Sequence, residues 1–194
     1  MLFRSFLALT LGVAILIPII SWDDSGWAMA VPLLIAGSGL GLLVSQLNNY
    51  TLSPIEEERV SEAAGVNSAG GSFGLSFGLA FAGAIMLASL SLLFTNMANS
   101  SNVLSPAEQG KVATGLEDNA EVMTNTHLEE LLAGQPADVK AEILHINTEA
   151  RPRALQIALL VPLLASLLGL VNGFRMTRLP DLEPSAAAEN VLGG

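Results

Sequence analysis

The sequence predicts an all-α, polytopic membrane protein with four transmembrane helices and a small helical extracytoplasmic insert. Three observations predict it. Hydrophobic residues make up 51% of the 194 residues and charged residues only 13%, against about 25% charged in an ordinary soluble domain. The charges are segregated, leaving uncharged stretches at residues 5–22, 25–55, 63–107 and 154–174. A helix crosses a bilayer with about 20 mainly apolar residues, so each stretch is long enough to hold a span.

Composition also excludes. There is no cysteine, which removes disulfides, thiolate metal sites, iron–sulfur clusters and cysteine nucleophiles. The net charge is −10, with only eight lysines and arginines. No basic run exists to neutralise a phosphate backbone, so nucleic acid is not an expected partner. The lipid bilayer is.

The first span covers about residues 3–21. Arg4 and the Ala28-Met29-Ala30 triplet also suggest a signal peptide. Polar residues 21–26 separate the apolar run from that triplet, however, and cleavage there would fall inside the next apolar run. The second span covers about 27–47. It carries Gly37, Gly39 and Gly41, read as close-packing or bending positions, followed by Ser45, Gln46, Asn48 and Asn49. Gln46 and Asn67, which opens the third span, are each either interfacial amides or cavity-lining groups. Pro18, Pro32 and Pro162 are possible kink sites.

The third span, about 66–94, repeats in fours. Residues four apart stack on one helix face, so Gly70, Gly74 and Gly78 form a smooth stripe. Ser72, Ser76, Ala80 and Ala84 form a second stripe nearly opposite, and Phe73, Phe77 and Phe81 a ridge between them. Small residues let membrane helices approach closely where lipid gives no hydrophobic drive. Two small faces predict a helix packed on both sides, as in a larger bundle; the simpler alternative is a glycine dimer face. Ser72 and Ser76 are candidate cavity-lining residues.

Residues 95–152 form the insert. Nine acids stand against Lys111, Lys140 and Arg151, a net charge of −6. Ser105-Pro106-Ala107-Glu108 and Thr126-His127-Leu128-Glu129 read as capping boxes, and Gly134 as a helix stop. A third helix starts near Pro136, with Val139, Ile143, Ile146 and Ala150 as its apolar stripe. Pro152 disfavours helix at the preceding residue, so it predicts a boundary or kink before the fourth span at 153–176. The tail, 177–194, reads as disordered and cytoplasmic.

Topology follows from the bases near span ends. Arg4, Arg59, Arg175 and Arg178 place both termini and the 55–65 loop in the cytoplasm and residues 95–152 outside, in a bacterial plasma membrane. Trp22 and Trp27 bracket the short outer loop, which carries Asp23 and Asp24. Arg151 and Arg153 oppose the bias, but they belong to a long segment that translocates regardless of charge. No Asp, Glu, His, Lys or Arg lies in a span core, so proton coupling has no group in this chain. His127 and His145 read as surface residues. No catalytic set, metal site or cofactor site is expected, and the chain is not read as an enzyme.

The stretch from Glu62 through Gly65-Val66-Asn67-Ser68 to Gly70, Gly74 and Gly78 resembles the penultimate helix of the fourteen-helix drug:proton antiporters of the major facilitator superfamily, the EmrB/QacA type. Gly37-Ser38-Gly39-Leu40-Gly41 is similar to the glycine cluster of their preceding helix. The resemblance covers nearly the whole chain, as the last four helices. It implies a fragment of a major facilitator fold, a lipophilic small-molecule substrate, and the remaining transporter helices or a membrane subunit as partner. The chain departs from the pattern at Gly71, where many members carry a basic or bulky polar side chain, and it lacks the family's relay carboxylates. The alternative is a self-contained four-span protein whose acidic insert binds a partner or senses envelope conditions.

Overall fold

A computed structural model describes residues 2–20, 26–118, 125–176 and 178. The chain is all-α: α1 (Leu2–Ile19), α2 (Ala30–Leu52), α3 (Val60–Ser100), α4 (Pro106–Asp118), α5 (Asn125–Leu131) and α6 (Ala137–Met176). Four helical stretches, Leu2–Ile19, Trp27–Leu52, Glu57–Ser100 and Ala137–Met176, are long and apolar enough to cross a membrane. Trp22, Asp23, Asp24 and the tail beyond Arg178 lie outside the described residues. The chain divides into two compact units, Met1–Ala80 with Val161–Gly194, and Phe81–Leu160.

In the first unit α1 and α2 pack as an antiparallel pair. Ser5, Gly12 and Leu16 of α1 are buried, as are Pro32, Gly39 and Leu43 of α2. Spacings of seven and four residues keep each set on one helix face. The backbones nearly touch. A β-carbon on Gly12 would lie 2.5 Å from the Ala36 nitrogen, and one on Gly39 would lie 2.6 Å from the Leu9 nitrogen and 2.9 Å from the Ser5 carbonyl. Only glycine permits that approach. Pro32 is tolerated because the first helical turn leaves its N–H positions without intrahelical partners. Gly26 holds φ at +66° and starts the short 3-10 turn Trp27–Met29 that leads into α2.

The C-terminal part of α6 packs on α1 through a second glycine pair. A β-carbon on Gly169 would fall 2.1 Å from the Phe6 ring, and one on Gly173 would sit 3.4 Å from the Phe3 α-carbon. The Phe3 and Phe174 rings pack at 6.0 Å with a 56° tilt. The Arg178 guanidinium lies 5.1 Å above Phe174, a cation–π contact.

The second unit has a separate core. Leu90, Phe94 and Ala98 of α3 cluster with Leu116, Leu128, Ile143, Ile146, Ala150 and Ala154. The expected stripe on α6 is buried throughout, from Val139 at 8% exposure to Ala150 at 0%. After α3, the Ser101 hydroxyl accepts from the N–H groups of Val103 and Leu104. Gln109 Nε2 donates to the Ser101 and Leu104 carbonyls, closing the turn.

Three local expectations change. α6 runs unbroken from Ala137 to Met176 through Pro152, with no boundary there. Proline inside a helix costs one hydrogen bond and a ring clash with the preceding turn, about 3 kcal/mol, whereas ending the helix would expose a stripe that buries Ile146, Ala150 and Ala154 on both sides of it. Thr126 lies within α5, described from Asn125, rather than ahead of it. The Ser105 cap forms differently from the full reciprocal box. The Ser105 N–H donates to Glu108 Oε2 at 2.8 Å, and the Ser105 hydroxyl donates to the same oxygen. Those two bonds, the hydroxyl first, hold the Glu108 carboxyl below its ordinary pKa.

Three outcomes are expected. Gly39→Leu collapses the thermal stability of the detergent-solubilised chain, while Gly37→Ala, with open space around it, changes stability by about 1 kcal/mol or less; equal loss at both sites would contradict the packing. Ile146→Ala costs about 2–5 kcal/mol, read as earlier loss of amide-exchange protection in residues 81–160. Because the Glu108 pKa is lower folded than unfolded, the cap's contribution is present above the unfolded value and disappears as pH falls through the folded one. Glu108→Gln therefore flattens the acid limb of α4 helicity measured by circular dichroism against pH.

Candidate functional site

Sequence reasoning proposed ten positions, and the structure separates them. Of the three glycines on α2, Gly39 is buried against α1, while a β-carbon built on Gly37 or Gly41 would meet nothing within 4 Å. Gly70, Gly74 and Gly78 on α3 are likewise open. Ser72 and Ser76 are exposed. The aromatic ridge forms: the Phe73 and Phe77 rings stack at 6.0 Å with a 17° interplanar angle, and both residues are mostly exposed. The N-terminal part of α3 therefore leaves its glycine, serine and phenylalanine faces uncovered by the other described helices.

Asn67 and its partner build a polar juncture between α2 and α3. Asn67 Nδ2 donates to Asn48 Oδ1 at 2.8 Å. The loop between the helices is short and self-bonded: the Ser53 N–H donates to the Asn49 carbonyl, Ile55 to Leu52, and Arg59 to Glu56. The 3-10 turn Glu57–Arg59 leads directly into α3. The two amides thus meet across a fixed turn, 19 residues apart in sequence.

Asn67 also lines a cavity of about 570 Å³, with Thr51, Ile55, Glu56, Arg59 and Glu62 among its walls. Leu52, Pro54, Ala63 and Val66 complete the lining, so amide, hydroxyl and both signs of charge share this space with a larger apolar surface. Its Arg59–Glu62 ion pair, 3.5 Å long, is highly exposed on both sides and contributes little stability. Gln46 is placed differently. Its Oε1 is buried with no hydrogen-bond partner among the described residues, and it does not line the Asn67 cavity. The four candidate cavity residues are therefore not one constellation.

The histidines lie on exposed helix faces. His145 Nε2 is 3.4 Å from Glu149, which also pairs with Arg153, and His127 Nδ1 is 3.9 Å from Glu130. Arg151 folds back along α6, its Nε donating to the fully buried Asn147 at 3.0 Å.

Sequence reasoning missed Gly12, Gly169, Gly173 and Asn48 as contact residues. Gly169 and Gly173 carry a legible signal, the G-x-x-x-G spacing of close helix packing. Asn48 carries none, since its role depends on where Asn67 falls.

The fold and this arrangement define a helical, multi-pass membrane protein with four candidate spans. Comparison with protein-family models, with curated proteins and with solved structures finds no match to this chain.

A double-mutant cycle over Asn48→Ala and Asn67→Ala is expected to return a coupling of about 0.6 kcal/mol, the usual worth of an interhelical hydrogen bond in membranes. Additive effects in thermal denaturation would show that the two amides do not interact.

Proposed function

We propose that this chain is the C-terminal membrane segment, the last four helices, of a secondary active transporter that exports drugs or other lipophilic small molecules. One observation carries the reading. Where α1 meets α2 and α6, glycines sit at the contact. α3 carries the same kind of stripe in Gly70, Gly74 and Gly78, and there the space is open. Val66, Phe73, Leu75 and Leu79 around it are 71–75% exposed. Small residues on a membrane helix serve approach by another helix, whereas lipid contact is served as well by bulky aliphatics. The helices that fill the face are the remainder of the transporter.

In this reading α1, α2 and the end of α6 are scaffold, and α3 supplies one wall of a substrate path through Ser72 and Ser76. Proton coupling resides in residues outside this chain, because its span cores hold no ionisable group. The chain performs no enzymatic step. The resemblance to the fourteen-helix antiporters points the same way.

The second reading, a self-contained four-span interaction protein, draws on the closed core of residues 81–160 and its capped α4. Two measurements separate them. An epitope at the chromosomal C-terminus yields, for a transporter segment, a membrane band far above the 20.2 kDa of this chain. In the cysteine-free background, Ser76→Cys then crosslinks to helices outside residues 1–194. A native band at 20.2 kDa, from a stable and monodisperse four-helix protein, would favour the second reading.

A further inference from the structure

Three of the chain's eight bases collect at one end of the α1–α6 pair. Arg4 stands at the start of α1, and Arg175 and Arg178 follow the last uncharged stretch of α6. Helix packing places them together. The Phe3 α-carbon would lie 3.4 Å from a β-carbon on Gly173, and the Phe3 and Phe174 rings pack at 6.0 Å. Arg4 and Arg175 are the residues that follow those two rings, and Arg178 sits 5.1 Å over the second. All three arginines are exposed.

No acid answers them. Arg4, Arg175 and Arg178 make no ion pair among the described residues. α1 holds no acid. The nearest acid on α6, Glu149, pairs with Arg153 and lies about 39 Å up the helix from Arg175. Of the acids between α2 and α3, Glu62 pairs with Arg59. The end of the α1–α6 pair is therefore a patch of uncompensated positive charge on a chain of net charge −10.

Depth selects the kind of anion. The uncharged stretches at residues 5–22 and 154–174 start directly after Arg4 and end directly before Arg175. The guanidiniums thus stand at the edge of the hydrocarbon, at headgroup level. Each presents a planar fork of N–H donors that matches a phosphate. Below Arg175, Val171 and Leu168 follow at helical spacing on the same face, 60% and 71% exposed. A soluble anion gains only the charge contact here, whereas a lipid also lays an acyl chain along that file.

We propose that this end of the α1–α6 pair binds an anionic phospholipid, its phosphodiester held by Arg4, Arg175 and Arg178 and one acyl chain along Val171 and Leu168. The site is independent of the transport reading and stands or falls separately from it.

The test places the full chain in phosphatidylcholine nanodiscs with a minor share of a diazirine lipid, either phosphatidylglycerol or phosphatidylcholine. The diazirine sits near the ester end of one acyl chain, and the label is mapped by peptide mass spectrometry. Phosphatidylglycerol label is expected at the start of α1 and on residues 168–178, well above phosphatidylcholine label. Arg4→Gln and Arg178→Gln each lower it about fivefold, the worth of one surface arginine toward an anionic lipid. Arg4→Lys, which keeps the charge, retains most of it. Arg153→Gln, at a base already paired with Glu149, changes nothing. Helicity by circular dichroism stays constant throughout, since each arginine at the site is exposed and outside any ion pair, so a lost label reports the site and not misfolding. Equal label from the two probes, or label unchanged in both glutamine variants, would overturn the proposal. Displacement by inorganic phosphate as effective as by unlabelled phosphatidylglycerol would also overturn it, by assigning the arginines to a soluble anion. Asp181, Glu183 and Glu189 follow in sequence. Label that appears only in the combined variant Asp181→Asn, Glu183→Gln, Glu189→Gln would assign the arginines to the chain's own tail and overturn it too.

Discussion

α1 and α2 come together so closely that no side chain fits at Gly12 or Gly39. The rest of the membrane-facing architecture depends on this approach. In hydrocarbon, burying an apolar side chain against another helix gains nothing over burying it in lipid, so association rests on dispersion between closely fitted surfaces. Dispersion falls off within about an ångström of optimal separation, and glycine brings two backbones into that range. α6 repeats the device on the other side of α1, where Gly169 and Gly173 receive the rings and backbone of Phe6 and Phe3. One short helix is thus held from two directions by the absence of side chains.

The Phe81–Leu160 unit is built by the opposite rule. Phe94, Ile146 and Leu116 are almost completely buried, and α4 begins at a residue whose hydroxyl and N–H both find a carboxylate. Here apolar burial and a satisfied helix start hold the structure, and Leu90 and Phe94 bring the end of the Glu57–Ser100 span into the same core. Along α6 the two regimes share one continuous helix, with Ala150 and Ala154 fully buried at its middle.

Much of this was legible from residue order. Charge segregation marks the four spans because a charged group in hydrocarbon is expensive whatever its neighbours do. The start of α4 at Ser105 and of α6 after Pro136 were readable because caps are local chemistry. What was not readable depended on partners. Gly37 and Gly41 share one face of α2, and Gly39 lies about 200° around the helix from Gly37; the sequence contains all three but not the direction from which α1 arrives. Pro152 illustrates the converse: a local rule against helix yields to a buried stripe that extends to either side of it. At the candidate site, Asn67 was visible as a polar residue at a span end. The cavity beside it was not, since its walls come from a loop whose geometry depends on the turn at Glu57–Arg59.

The seating of Phe6 against Gly169 has a consequence for biogenesis. Roughly 160 residues separate them, which at 5–20 residues per second is on the order of ten to thirty seconds of translation. α1 can pair with α2 as soon as both are made, yet its other flank stays bare until Gly169 and Gly173 of α6 have followed. During that interval the nascent chain has an unfilled aromatic surface in the lipid, available to an insertase, a chaperone or a neighbouring nascent chain. Completion of this packing is therefore timed by the synthesis of α6 and not by that of α1.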